Sequence, residues 1–94
     1  MADTEWDGAK ARANLAKHGV SFMEADSALN ARHLITYPDR EHLDVEERWI
    51  TVGLSNRLRL VTVVTSETPW GTIRIISAWR ATKRERYGYI TRPL

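Results

Sequence analysis

The stretch "RWITVGLSNRLRLVTVVTS" (residues 48–66) decides how this chain folds. Two β-branched runs, "RWITVGL" (48–54) and "LRLVTVVTS" (58–66), flank the turn signal "SNR", the pattern of an antiparallel hairpin. Past the loop "ETPWG", "TIRIISAW" (72–79) predicts a third strand and turns the hairpin into a meander. Upstream, "LITY" (34–37) reads as a further strand closed by Pro38, and the polar "DREHLDVEE" reads as a loop. Towards the N-terminus the pattern becomes helical. After a short extended start at Glu5–Trp6, Asp7 can cap a helix of good formers that runs to His18, and Gly19 supplies the left-handed residue that ends it. In "SFME", Ser21 and Glu24 make a capping box for a second helix over 22–29. "TKRE" (82–85) is another such box, opening a short helix towards Tyr89. The expected fold is α+β in a single domain, 1–94: two N-terminal helices and a C-terminal helix packed on one face of a small, mainly antiparallel four-stranded sheet.

Ninety-four residues support one modest core and not two. The absence of cysteine excludes a disulfide framework, a Cys-based zinc site and a thiol nucleophile. No apolar run approaches a membrane span and the N-terminus carries no signal-like segment, so a soluble cytoplasmic protein is expected. The net charge of +2 hides a split. Residues 1–47 hold five Lys/Arg against ten Asp/Glu, and residues 48–94 hold nine against two. A basic C-terminal half points towards a polyanionic partner, unless the two halves neutralise each other once folded.

Three arginines sit where strands least favour them: Arg59, Arg74 and Arg80. Strand side chains alternate between faces. If Thr65 lies across from Arg74, the three guanidinium groups share one face, and a slip of one residue divides them. An arginine in an apolar strand either pairs with a carboxylate, such as Glu47 or Glu67, or binds phosphate through its planar fork. The helix that follows favours phosphate. Lys83 and Arg84 occupy its first turn, where cations oppose the helix dipole but, with free N–H groups, make an anion site.

On the first helix, Lys10, Asn14, Lys17 and His18 fall on one face, as a solvated stripe or as a site with a histidine at its end. His33 and His42 lack metal-ligand spacing relative to His18, so neither a metal nor another cofactor is expected. Trp6 and Phe22 read as core, and Trp49 and Trp79 as core or base-stacking platforms. Trp70 reads as exposed in its loop and as a candidate for contacting a partner.

The segments "EWDGAKARANLAKHGVSFMEA" (5–25), "EERWITVGLS" (46–55), "LRLVTVV" (58–64) and "IRIISAWRATKRERYGY" (73–89) together resemble BrnT-type toxins, ribonucleases of bacterial type II toxin–antitoxin systems. The resemblance implies a RelE-like fold, cleavage of RNA that halts translation, and neutralisation by a BrnA-type antitoxin in a hetero-oligomer that meets DNA only through the antitoxin. Two departures bear on specificity: Trp79 stands where a second basic residue is common, and the "TPWG" loop is one residue longer than usual. The substrate expected is single-stranded RNA, such as mRNA, cleaved without metal by attack of its 2′-OH on the adjacent phosphate. Arg59 and Arg74 are the expected phosphate clamp. Arg80, Lys83, Arg84, Lys10 and Lys17 are the expected RNA-binding cations. His18 is the expected general acid or base, with Glu47 or Tyr89 making the other proton transfer. A non-enzymatic nucleic-acid- or protein-binding module is the alternative.

Overall fold

The computed structural model describes residues 3–41 and 47–93. His42 and most of the segment read as a loop lie outside the described residues. The elements, in order, are β1 (Thr4–Glu5), α1 (Gly8–His18), α2 (Phe22–Leu29), β2 (Leu34–Pro38), β3 (Arg48–Leu54), β4 (Leu60–Glu67), β5 (Ile73–Arg80) and α3 (Lys83–Ile90).

Local chemistry sets the helix boundaries. The Asp7 side chain accepts from the Ala9 N–H at 2.8 Å and starts α1. Gly19, at φ 70°, donates its N–H to the Leu15 carbonyl and ends it. Ser21 Oγ accepts from the Glu24 N–H at 3.0 Å to open α2. The hairpin turn is longer than "SNR" suggests. Leu58 adopts φ 60° and donates to the Ser55 carbonyl, and Ser55 donates to that of Arg59, so β4 begins at Leu60 rather than Leu58.

The expected four-stranded sheet is wrong. The sheet has five strands in the order β1-β5-β4-β3-β2, and it is mixed, because β1 pairs parallel with β5 through Thr4–Ile73 and Glu5–Arg74. A two-residue strand is too short to show a period, and its pairing spans almost the whole chain. The helices do not all share a face either. Val61, Val63, Ile75 and Ala78 of the sheet form one core with Val20, Phe22, Ala25 and Ala28 from α2 and the turn before it. Trp6 meets Phe22 edge-on, with ring centroids 6.2 Å apart. Gly53 lies on the same side, where a Cβ would come within 2.5 Å of the Ala28 carbonyl oxygen, so only glycine lets α2 approach β3 this closely. Helix α3 instead meets the other face: its Glu85 carboxylate accepts from Thr62 Oγ1 and Trp79 Nε1, side chains that alternate with the core residues.

The edge of β5 beyond β1 is closed by a side chain. Asn14 of α1, buried, donates to the carbonyls of Ala78 and Val20 and accepts from the Ala78 N–H at 3.1 Å and from Ser77 Oγ. Its amide thus stands in for the missing neighbouring strand at Ala78 and fixes α1 alongside β5.

Candidate nucleic-acid interface

The register of β4 and β5 decides where the arginines point. Val61 pairs with Arg80, but a β-bulge shifts the pairing so that Thr65 pairs with Ile75 and Ser66 with Arg74. Arg80 therefore lies on the face of the helix layer and Arg74 on the other, and a shared row of three guanidinium groups does not form. Arg74 and Arg80 are six residues apart along β5, about 20 Å at the rise of a strand.

Arg59 is held by a carboxylate. Its Nε and Nη2 donate to the two Glu24 oxygens at 2.7 Å each, and Nη2 also donates to the Gly19 carbonyl at 2.9 Å. The Glu24 side chain is 3% exposed and that of Arg59 21%. The Arg59 hydrogen bonds, helped by Ser55 and opposed by burial, lower the Glu24 carboxyl from its ordinary range. Arg59 thus ties α2 and the residue after His18 to the sheet, and it cannot form one clamp with Arg74.

Arg74 sits at the opposite end, where β1, β5 and the start of α1 meet. Its Nη2 donates to Glu5 Oε2 at 2.8 Å, and its guanidinium lies 5.9 Å from the centroid of the Trp70 ring. Trp70 Nε1 and Thr72 Oγ1 both donate to Glu5 Oε1. Hydrogen bonds from Thr72, Arg74 and Trp70 lower the Glu5 carboxyl to about 2. Lys10 shares a cleft of about 260 Å³ with Arg74, Glu5 and Asp7.

A third region gathers residues from three elements. The His18 ring, at the end of α1, lies 6.2 Å from the Trp79 indole. Arg80 follows Trp79 and is exposed, and after one residue Thr82 caps α3, whose first turn carries exposed Lys83 and Arg84. The free N–H groups expected there are partly taken. Glu85 Oε1 accepts from the Thr82 N–H at 2.8 Å, from Thr62 Oγ1 and from Trp79 Nε1, so one carboxylate closes the capping box and fixes the indole. The cations remain exposed around it. Lys17 is exposed beside His18.

From this corner the sheet face opposite the two-helix core is open as two adjoining clefts. One, of about 560 Å³, is floored by Trp79, Val64, Ile50 and Tyr37. The other, of about 700 Å³, runs from Tyr37 to Thr82, Arg84 and Glu85. Burial, then the Glu85 and Asp39 carboxylates, raise the Tyr37 phenol, so it stays protonated at neutral pH.

The other two candidates stand apart. Glu47 precedes β3 next to Arg48, which pairs with Ser66 and so belongs to the Arg74 end. Tyr89 donates its hydroxyl to the His33 carbonyl at 3.1 Å, and Arg92 stacks on its ring at 4.1 Å. His18 thus meets Trp79, the neighbour of Arg80 in the chain, while Arg84 lines the open cleft with Tyr37 and Ile35, and Glu47, Arg74 and Lys10 lie towards the other end of β5. Glu24, Glu5, Glu85 and Tyr37 escaped the sequence reading as members of these sites. The capping pattern marked both Glu24 and Glu85 as helix-starting residues, but only Glu85 closes its box. The Glu24 carboxylate turns to Arg59 and Ser55 instead, and these partners, like Thr62 for Glu85, are distant in sequence. Among the described residues, no three His, Cys, Asp or Glu side chains are grouped as metal ligands, and no helix is long and apolar enough to cross a membrane.

Comparison with known proteins agrees with the resemblance seen in the sequence. The crystal structure of the Brucella abortus ribonuclease toxin BrnT superposes with a TM-score of 0.67 at 22% identity, covering 88% of this chain and all of that one, a likeness of fold. No curated protein matches the sequence. The family model of the "ribonuclease toxin, BrnT, of type II toxin-antitoxin system" matches residues 6–85. By that match over most of its length, the chain belongs to the BrnT family of ribonuclease toxins of type II toxin–antitoxin systems.

Proposed function

We propose that this chain cleaves single-stranded RNA without a metal cofactor, at the corner where α1, β5 and α3 meet. The observation that carries the reading is the contact of His18 with Trp79, which puts an imidazole, a group able to take up and give a proton, at the end of β5 that carries Arg80 and leads into α3 with its exposed cations. RNA supplies its own nucleophile. Neutral His18 takes the proton from a 2′-OH, the 2′-oxygen attacks the adjacent phosphorus, and the bond to the 5′-oxygen breaks. The leaving oxygen takes a proton from solvent at this exposed corner. The products are a 2′,3′-cyclic phosphate and a 5′-hydroxyl. Arg80, Lys83 and Arg84 offset the charge that builds on the phosphoryl oxygens. Trp79, with its N–H fixed by Glu85, offers a face for a base, and Lys17 extends the basic surface.

Arg59 becomes a positioning residue for His18 through the Gly19 carbonyl. Glu47 and Tyr89 have no part in this reading. The cleavage would act on mRNA in the cytoplasm and inhibit translation. A BrnA-type antitoxin would neutralise the toxin in a hetero-oligomer and bring it to DNA. An acidic antitoxin segment suits α3, where Tyr87 and Ile90, 70% and 71% exposed, sit among Lys83, Arg84 and Arg86.

The test is incubation of the purified protein with single-stranded RNA in excess EDTA, followed by analysis of fragment ends. Cyclic phosphates, lost with folded His18→Ala, support the reading. Equal cleavage by both proteins refutes His18, and RNA that remains intact even with translating ribosomes refutes the ribonuclease corner itself.

A further inference from the structure

We propose that Trp70 and Arg74 form a second RNA subsite, a platform that stacks one base of the strand well away from the scission corner. The proposal rests on the RNA-cleaving reading and extends it to the other end of β5.

Trp70 is 65% exposed in the β4–β5 loop, yet its orientation is fixed. Its Nε1–H is tied to Glu5 Oε1 at 2.8 Å and its ring lies 5.9 Å from the Arg74 guanidinium. Gly71, at φ 91°, turns the chain after it, and the Thr68 and Thr72 side chains bond each other across the loop. A large aromatic side chain that is exposed and immobilised has lost most of its conformational freedom before anything binds it. It therefore offers stacking surface at low entropic cost. Its indole N–H is already used, so a partner meets the ring face and not the polar edge.

The surrounding charges select the occupant. Arg74 and Lys10 bring two cations to the cleft beside the platform, where the Glu5 and Asp7 carboxylates are held by Arg74, Trp70 and Thr72 and by the Ala9 N–H, which leaves Lys10 as the cation open to a phosphate backbone. Glu5 stays ionised through the whole neutral range, because Thr72, Arg74 and Trp70 lower its carboxyl to about 2. It holds Arg74 and disfavours a phosphate directly on that guanidinium. The arrangement therefore suits a neutral base on the ring, with the phosphates further out towards Lys10. Five residues of β5 separate Arg74 from Trp79, about 16 Å, so the platform reads a nucleotide remote from the cleaved bond.

The test measures the affinity of a fluorescein-labelled, 2′-O-methylated single-stranded RNA 12-mer, which 2′-OH attack cannot cleave, by anisotropy at several salt concentrations. Trp70→Ala is expected to weaken binding on the order of tenfold and Trp70→Phe to retain most of it. The salt slope should be the same in both, because stacking releases no counterions. Lys10→Gln should lower that slope by about one. Circular dichroism checks that each variant is folded, and the exposed position of Trp70 makes this the expected result. Trp70→Ala with wild-type affinity overturns the platform, as does a wild type that does not bind the oligonucleotide. So does a Trp70→Ala that loses a protein antitoxin while keeping RNA affinity. The ribonuclease reading fails separately, if unmodified RNA stays intact while the 12-mer still binds through Trp70.

Discussion

Replacing Arg59 by alanine removes both strong donors from a carboxylate that is 3% exposed. Glu24 would keep Ser55 Oγ at 2.7 Å and Arg57 at 4.0 Å, the latter on a side chain 66% exposed and able to give little. Breaking a buried pair from one side costs about 3–5 kcal/mol, because the remaining charge stays desolvated. A chain of this length has roughly 5–14 kcal/mol of stability in all. At about 4–8 °C per kcal/mol for a domain of this size, Arg59→Ala should lower Tm by at least ~12 °C at pH 7, read by circular dichroism. Adding Glu24→Gln should recover part of the loss, since no charge is then buried. RNA binding distinguishes the two roles that an arginine in this strand can have. Measured below the variant's Tm, the salt slope of affinity should match wild type, because this guanidinium is committed to Glu24 and the Gly19 carbonyl. A Tm within ~4 °C of wild type, or a salt slope reduced by about one, would refute the structural account and return Arg59 to the phosphate.

The same pair gives a pH dependence. The folded Glu24 carboxyl lies below its ordinary value, so its stabilisation is complete above about pH 4.5 and is lost as pH falls through the lowered value. Tm followed from pH 7 to pH 2 should drop on the acid side, and less steeply in Glu24→Gln. The Glu5 contribution has the same sign and is lost between about 4.5 and 2, so Glu5→Gln should also flatten the acid limb. His18→Ala should reduce the rate of RNA cleavage on the order of 10²–10⁴-fold with Tm little changed; a rate within threefold of wild type would remove His18 from the chemistry. Gly53→Ala should destabilise by about 1–3 kcal/mol in urea unfolding, because its methyl meets a backbone oxygen at 2.5 Å, and an unchanged midpoint would show that α2 can shift away.

Much of the fold was legible because it is written in local chemistry. Capping residues and the left-handed glycine placed α1 and α2, and the β-branched runs placed β3 to β5 within two residues. What was missed depends on contacts remote in sequence. β1 has no pattern of its own and exists through its pairing with β5. The side on which α3 lies follows from Glu85 reaching Thr62, which the capping box does not encode. The three arginines looked equivalent because alternation is the only information a strand sequence gives. One extra residue in β5 inverted the parity between Arg74 and Arg80, and a distant carboxylate claimed Arg59. Composition could rank none of these outcomes.

In helix α1 a single polar face serves more than one purpose. The spacing of Lys10, Asn14 and His18 admits a solvated stripe or a site, and the structure makes its middle member neither. Asn14 is buried and acts as a strand surrogate, bonding both backbone groups of Ala78. Because the helix is anchored there, the residues one turn before and one turn after it are carried to the two ends of β5, Lys10 to the Arg74 cleft and His18 to Trp79. The eight-residue step from Lys10 to His18 spans about 12 Å of helix, against about 16 Å of strand from Arg74 to Trp79. Asn14→Leu would keep the bulk and the helix but leave the Ala78 N–H and carbonyl without partners, at about 1–3 kcal/mol for each buried group. If α1 is the ruler that spaces the two RNA contacts, that variant should lose affinity for a long strand more than for one short enough to occupy a single end. Equal losses on both would mean that the two ends bind independently and that Asn14 only stabilises the edge of the sheet.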